Sequence, residues 1–388
     1  MGPFGSSIKV STFVDEGVPV ISGYHLKDVR LLDENFNFIT EAHANRLRNS
    51  NVYPGDVVFT HAGNIGQVAF IPENARYKRY VLSQRQFCLR CRPGVADPEF
   101  IAYYFKSREG QNKLLANANA TGVPSIARPV SYMKSVKIKL PPIGEQRRIA
   151  ATLSVFDDKI GLNHAIVRNL EAMGEALYRR WFVDFEFPDE NGQPYRSSGG
   201  IFTDSEMGPI PAGWTVRKLG DVLELRYGKA MKEADRVPGP YPVYGSNGPV
   251  GSHHEALVKG PGIVVGRKGN PGTVKFVSQD FCPIDTTFYV APKTARADTL
   301  NYYYYLLLSQ DLRKLSSDSA VPGLNRNIVY MTRMVIAPER VIAAFEDHAR
   351  PIRDLITSRE NENRQLAELR DALLSRLMTG EIRVPAES

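Results

Sequence analysis

Few side chains in this 388-residue chain have the types and spacing that covalent chemistry needs. Cys88-x-x-Cys91 is half of a zinc site, and Cys282 and the pair His253-His254 are the conceivable partners. The second C-x-x-C is missing, and a three-residue spacing on a strand puts the two sulfurs on opposite faces, so no metal is expected. Asp157-Asp158-Lys159 is the nearest approach to the carboxylates and lysine of a metal nuclease, and a helix start already explains it. No Gly-x-x-x-x-Gly-Lys-Ser/Thr phosphate loop occurs, nor an Asn-Pro-Pro-aromatic tetrapeptide of the amino-methyltransferase type. Gly245, Gly248 and Gly251 are spaced three apart among Tyr244, Ser246 and Asn247, which reads as a turn. The expectation is a protein without catalytic residues, cofactor or metal.

What the side chains do offer is charge. Residues 1–140 carry a net +7 and residues 213–340 a net +6, whereas 141–212 carry −4 and 341–388 carry −2. Two basic blocks, each followed by an acidic stretch, suit a polyanion, because every neutralised phosphate releases counterions. Three cysteines exclude a disulfide scaffold and suit a reducing cytoplasm. No apolar run reaches the roughly 18 residues of a membrane span.

The elements that carry this charge occur twice. Val57-Val58, Gly63-Asn64-Ile65-Gly66, Val68 and Phe70 match Ile263-Val264, Gly269-Asn270-Pro271-Gly272, Val274 and Phe276 at an offset of 206. Val123-Pro124 matches Val321-Pro322, each after an aromatic helical segment (Tyr103-Tyr104-Phe105 and Tyr302 to Tyr305). Asp158, Ile160, Leu170, Met173, Leu177 and Trp181 align with Asp354, Ile356, Leu366, Leu369, Leu373 and Leu377 at an offset of 196. His61 falls in the repeat position of Arg267, which fits a polar contact residue or an ordinary loop histidine.

Ser154 followed by Asp157 reads as an N-cap with its capping-box partner, placing Val155 first in a long helix. The offset carries Val155 onto Pro351, and proline favours that position too. Each half is therefore expected to end in a short helix (145–153 and 341–349) and then a long one. The helix over 155–182 would have 28 residues and span about 42 Å. Its heptad face is Phe156, Ile160, Asn163, Val167, Leu170, Gly174, Leu177 and Trp181; the second is Ile352, Ile356, Arg359, Asn363, Leu366, Arg370, Leu373 and Leu377. An apolar stripe with polar interruptions is a short coiled coil with a specified register, and two such helices on one chain can pair; the alternative is an amphipathic helix packed on its own domain. Short apolar runs such as Gly17-Val18-Pro19-Val20-Ile21 and Ile263-Val264-Val265, broken by turn residues, make each basic block an α+β domain with many loops. The stretch 187–212 is polar and rich in Gly and Pro, and reads as a linker.

Together these residues resemble a family. Leu140-Pro-Pro-Ile-Gly-Glu-Gln-Arg-Arg-Ile-Ala150, continuing to Leu177-Tyr-Arg-Arg-Trp-Phe-Val-Asp-Phe185, resembles the central region of type I restriction–modification specificity subunits. Gly208-Pro-Ile-Pro-Ala-Gly-Trp214 with Leu219-Gly-Asp-Val222 is similar to the start of their second target-recognition domain. Leu369-Arg-Asp-Ala-Leu-Leu-Ser-Arg-Leu-Met-Thr-Gly-Glu-Ile382 is similar to their closing segment. The first domain lacks such an opening and begins at Gly2-Pro-Phe-Gly-Ser-Ser, so against the second half it reads as short by about two dozen residues, which could expose a sheet edge.

The resemblance implies an α+β protein of two pseudo-symmetric target-recognition domains, each followed by a long helix, the two helices pairing as an antiparallel coiled coil. The expected boundaries are 1–140 and 213–340 for those domains, and 141–186 and 341–384 for the helical regions. It implies a non-catalytic subunit that reads double-stranded DNA at a bipartite, asymmetric target. Its expected partners are methyltransferase subunits, two copies on two near-equivalent acidic platforms, and restriction or motor subunits. Helices of about 40 Å would match one duplex turn of ~34–36 Å. The expected DNA-binding residues lie on loops: His61, Asn64, Lys78, Arg79, Ser125 and Arg128 in the first half, and Tyr244, Ser246, Asn247, Arg267, Lys268, Asn270, Asn325 and Arg326 in the second. Turn chemistry explains each alternatively. The expected helix-pairing residues are Phe156, Ile160, Val167, Leu170, Leu177 and Trp181 with Ile352, Ile356, Leu366, Leu373 and Leu377. Two other classes stay open: a coiled-coil scaffold with non-specific DNA binding, and a self-sufficient DNA-modifying enzyme.

Overall fold

The computed structural model describes residues 1–3, 7–119, 122–293, 299–316 and 323–385. The Val321-Pro322 side of one repeat match, and Phe4-Gly5-Ser6 of the N-terminal motif, lie outside the described residues. The chain is α+β and divides into two compact units, Met1–Leu162 with Glu362–Ser388, and Asn163–Asn361. Among the described residues no helix is long and apolar enough to cross a membrane.

In the first unit β1 (Val18–Ile21), β2 (Asn37–Ile39), α1 (Glu41–Arg46), β3 (Asn51–Val52), β4 (Asp56–Thr60), β5 (Val68–Phe70), β6 (Tyr80–Leu82) and β7 (Gln86–Arg90) form two small sheets. One has the order β2-β1-β6-β3, with β1 and β6 parallel; the other is β5-β4-β7. The apolar run read at Val18 to Ile21 is a fully buried strand. Next come α2 (Pro98–Lys106), α3 (Arg108–Leu115), the short pair β8 (Ala118–Asn119) and β9 (Ser125–Ile126), and α4 (Pro129–Ser135). Asp97 caps α2 by accepting from the Phe100 N–H at 3.0 Å, with Pro98 at the first helical position. Phe59 stacks on Phe87 and meets Phe105 edge-on, joining the β4 hairpin to α2.

A long helix follows, α5 (Ile143–Phe182), whose last 20 residues belong to the second unit. That unit continues with β10 (Phe202–Thr203), β11 (Ile210–Pro211), β12 (Thr215–Lys218), α6 (Leu219–Val222), β13 (Leu223–Tyr227), β14 (Tyr241–Gly245), β15 (Gly248–His253), β16 (Gly262–Gly266), β17 (Val274–Val277), β18 (Cys282–Pro283) and β19 (Thr287–Pro292). It closes with α7 (Leu300–Ser309), α8 (Arg326–Met331), β20 (Arg333–Ile336) and α9 (Glu339–Met378). Its larger sheets are β13-β19-β16-β17 and β15-β14-β18, with β14 and β18 parallel, and β12 pairs antiparallel with β20.

The repeat is structural down to register. Val57 pairs with Phe70 and Phe59 with Val68, while Ile263 pairs with Phe276 and Val265 with Val274. The same offset of 206 therefore relates both strands of each hairpin.

Two expectations about the helices are corrected. Neither half has a short helix followed by a long one: α5 and α9 each run unbroken for 40 residues, about 60 Å at 1.5 Å per residue. Ser154 does not cap. It is buried, and its hydroxyl donates to the Ala151 carbonyl at 3.0 Å, so it is satisfied inside the helix. Pro351 is an interior proline; it and Asp347, four residues before it, are both exposed, so the carbonyl it deprives of an N–H lies on the wet side. The start signals are instead Pro142 and Pro338, also 196 apart, whose carbonyls accept from Gln146 and Ile342.

The heptad positions are all buried or half-buried, whereas Val155, Leu162, Met173, Leu355 and Leu369, off the stripe, are exposed. In the first unit Leu373, Leu374 and Leu377 pack with Ile149, Ala150 and Leu153, and Arg370 pairs with Asp157 at 2.5 Å. In the second, Trp181 meets Phe345 and His348, and Arg353 pairs with Glu171 at 2.8 Å. Gly174 is a glycine because a Cβ there would lie 1.9 Å from the Tyr305 hydroxyl.

The segment 187–212 also differs from the expected linker. Phe187 stacks on Tyr195 at 4.6 Å and lies 5.0 Å from Trp214, Ile210 is buried, and β10 pairs with β11. Its apolar residues are too sparse for a periodic signal; Phe187, Tyr195 and Ile210 pack on the second unit's core, whereas Ile201 and Met207 stay exposed.

Candidate nucleic-acid interface

Each hairpin projects a glycine-flanked loop. Gly63 and Gly66 have φ of +81° and +88°, and Gly269 and Gly272 have +82° and +79°, so the two loops share one backbone that ordinary side chains resist. Each is pinned in the same way. The His61 N–H donates to the Arg85 carbonyl, and the His61 carbonyl accepts from Ile126; the Arg267 N–H donates to the Thr286 carbonyl, and the Arg267 carbonyl accepts from Leu324. Bridges Ala62 to Ser125 and Lys268 to Gly323 complete the match. The structure thus brings Ser125 beside the first loop and Gly323 and Leu324, just before Asn325, beside the second.

In the first unit Asn64 is exposed at the loop tip. His61 is half-buried, with Nε2 3.3 Å from the Gln84 carbonyl and its ring 6.3 Å from Phe87; burial holds its pKa below 6.5. Arg128 is exposed, in the left-handed region at φ +44°, at the start of α4. Lys78 is exposed, away from this loop in sequence, on the turn before β6. Arg79, next to it, is engaged: Nε donates to Asn51 Oδ1 at 2.8 Å and Nη1 to Glu41 at 3.0 Å.

In the second unit the loop leans on the β14–β15 turn. The Asn270 N–H donates to Ser246 Oγ at 3.4 Å, its side-chain amide donates to Asn247 Oδ1, and Thr273 Oγ1 donates to the Ser246 carbonyl at 2.7 Å. Lys268, Asn270 and Asn247 are exposed. Tyr244 is half-buried, edge-on to Phe281 at 6.0 Å, and so serves the core as well. Asn325 caps α8 by accepting from the Asn327 N–H at 2.9 Å. Behind the loop lies a cleft of about 700 Å³ whose walls include Lys275 and Arg313 from one side and Glu171, Glu175 and Glu360 from the long helices.

Sequence reasoning missed Tyr227. This half-exposed side chain, at the end of β13, lies 4.9 Å from the guanidinium carbon of Arg267 and 4.9 Å from that of Arg326. The signal was the interleaving of base and aromatic in Arg226-Tyr227-Gly228-Lys229.

The cysteines fall on two different cores, as their strand spacing requires: Cys88 packs with Val58 and Tyr80, Cys91 with the cluster of Val57 and Phe87. Burial raises the Cys88 thiol and pushes Cys91 up to about 12, while Cys282 Sγ donates to the Glu255 carbonyl. Among the described residues no three His, Cys, Asp or Glu are grouped to hold a metal.

The family model of the type I restriction modification DNA specificity domain matches residues 15–172 and 211–329. The chain is 24% identical to the type I restriction enzyme MjaIX specificity subunit of Methanocaldococcus jannaschii, over 74% of this chain and 69% of that one. It is 23% identical to the HindI specificity subunit of Haemophilus influenzae, over 84% and 86%. Its fold is similar to that of the type I restriction–modification S subunit from M. genitalium, with a TM-score of 0.51 at 17% identity, over 98% of this chain and 92% of that one.

Proposed function

The chain belongs to the type I restriction modification DNA specificity domain family and is a non-catalytic specificity subunit of that kind; from that premise we propose that it reads a bipartite, asymmetric DNA target, one half-site per unit. The observation that carries this is the pair of hairpin loops: alike in register and glycine conformation and sharing Asn64 and Asn270, yet presenting His61 and Ala62 in one unit where the other presents Arg267 and Lys268. A shared backbone sets a shared way of approaching the duplex. Different side chains set different bases.

Asn64, Ser125, Arg128, Lys268, Asn270 and Asn247 are the base and phosphate contacts of this reading, with Lys78 on phosphate. Arg79 and Tyr244 act behind them as supports. Glu171, Glu175 and Glu360 would repel a phosphate from the cleft, which favours the outer face of the loop. The recognition domains are 1–140 and 213–340. The long helices pair as an antiparallel coiled coil, a reading supported by the ion pairs Arg370–Asp157 and Arg353–Glu171 and by the buried heptad positions. Two copies of a methyltransferase, and restriction subunits, would assemble on the helical regions.

The test is genome-wide mapping of N6-methyladenine in cells with the partner methyltransferase, with and without this chain. A bipartite motif that depends on the chain is the expected result. Methylation that is unchanged, or that has no sequence preference, would overturn the proposal in favour of a scaffold.

A further inference from the structure

Arg267, in the loop after β16, and Arg326, the first residue of α8, are 59 positions apart, yet their guanidiniums are gathered on one ring, each 4.9 Å from the centroid of Tyr227. Gathering two like charges is unfavourable unless something offsets it. Neither arginine forms an ion pair with a carboxylate among the described residues. Each instead donates from Nη1 to a backbone carbonyl, Arg267 to Asp285 at 2.9 Å and Arg326 to Leu225 at 3.3 Å. That fixes each fork while leaving its Nη2 donors to be presented, Arg326 Nε being buried without a partner among the described residues. Tyr227 itself is 50% exposed, which a ring that served only the core would not be. It is in turn braced by Phe288 at 5.0 Å.

We propose that Tyr227 is a positioning residue that holds Arg267 and Arg326 as a pre-ordered guanidinium pair, and that this pair reads guanine in the half-site of the second unit. The inference rests on the specificity reading above. A guanidinium fork matches O6 and N7 of guanine in the major groove, and a fork held in place loses less freedom on binding than a free one. The electron-rich face of Tyr227 supplies that hold without occupying the hydrogen-bond donors, as a carboxylate would.

The experiment is the methylation motif directed by the full chain with its methyltransferase, for the wild type, Arg267→Lys, Arg326→Lys, Tyr227→Ala and Tyr227→Phe. Asn270→Ala identifies which half-site belongs to the second unit. The wild-type half-site is expected to contain a G·C pair. Each lysine variant should lower discrimination at a guanine by roughly tenfold or more. Tyr227→Ala should relax the same positions and no others, and Tyr227→Phe, which keeps the ring, should retain them. A Tyr227→Ala motif identical to the wild type, a second half-site without G·C, or an equal loss of both half-sites shared by Tyr227→Phe would overturn the inference. A wild-type chain that directs no methylation at all would instead remove the specificity reading, and this inference with it.

Discussion

Arg353 donates from Nη1 to Oε1 of Glu171 at 2.8 Å, while its guanidinium carbon lies 4.5 Å from the ring centroid of Phe276 and 4.6 Å from that of Tyr304. The offset of 196 places Arg353 on Asp157, which in the first unit accepts from Arg370 at 2.5 Å and from the Tyr103 hydroxyl. One repeat position thus carries opposite charges, and each unit joins α5 to α9 through its own ion pair.

The Arg353 side chain is 7% exposed and that of Glu171 28%, so the arginine depends on its partner more than the reverse. Glu171→Ala, which strands a buried guanidinium, is expected to cost about 3 kcal/mol. Arg353→Met with Glu171→Met should cost less than Glu171→Ala alone. Urea unfolding of the three proteins checks this; a double variant as damaged as the single one would show that stacking, rather than charge, dominates.

The loop glycines should rank by what a Cβ would meet. At Gly272 it would lie 2.5 Å from the Arg313 backbone nitrogen, whereas at Gly269 it meets only the Ser246 hydroxyl at 3.2 Å. Both carry positive φ. Gly269→Ala is expected to cost about 1 kcal/mol and Gly272→Ala about 2 kcal/mol or more, because backbone cannot step aside. Melting temperatures in that order are the expected outcome.

His25 and His61 both have pKa values held below 6.5 by burial. The unfolded chain therefore takes up protons that the folded chain refuses as pH falls through 6.5. Their contribution is intact above that value and is lost as pH drops toward the folded pKa values. His25 has more at stake: Nδ1 accepts from the Ser22 N–H at 2.9 Å, the ring stacks on Phe36, and Nε2 is buried without a hydrogen-bond partner among the described residues. The melting temperature should fall from pH 7.5 to pH 5, and His25→Asn should lower it overall yet flatten that slope. An unchanged slope would assign the pH dependence elsewhere.

Phosphate and base contacts should separate by salt. If Lys268 meets one phosphate, Lys268→Ala weakens binding to all sequences alike and reduces the slope of log affinity against log salt by about 0.9. Asn270→Ala should leave that slope and change the preferred bases. Titrations of duplexes at several salt concentrations distinguish them, and a sequence-dependent effect of Lys268→Ala would make it a base contact.

What is local or repeated was legible in the chain. The offset of 206 contained the hairpin register, since pairing Val57 with Phe70 obliges Ile263 to pair with Phe276. The heptad spacing identified the covered face of both helices, because side-chain period is a property of the helix alone. Helix length was not legible. Ser154 and Pro351 are valid start signals in isolation, and only the long helix around them satisfies the hydroxyl of one and keeps the other on an exposed face.

Tertiary structure alone decided what distant segments share. Tyr227, Arg267 and Arg326 come from β13, the loop after β16 and α8, and no spacing in the chain announces their meeting. The same holds for Arg79, an exposed-looking turn arginine whose charge is taken up by Asn51 and Glu41. Local periodicity says which face an element hides. Which charges are consumed within the fold, and which are left for a ligand, depends on packing between elements that the sequence separates.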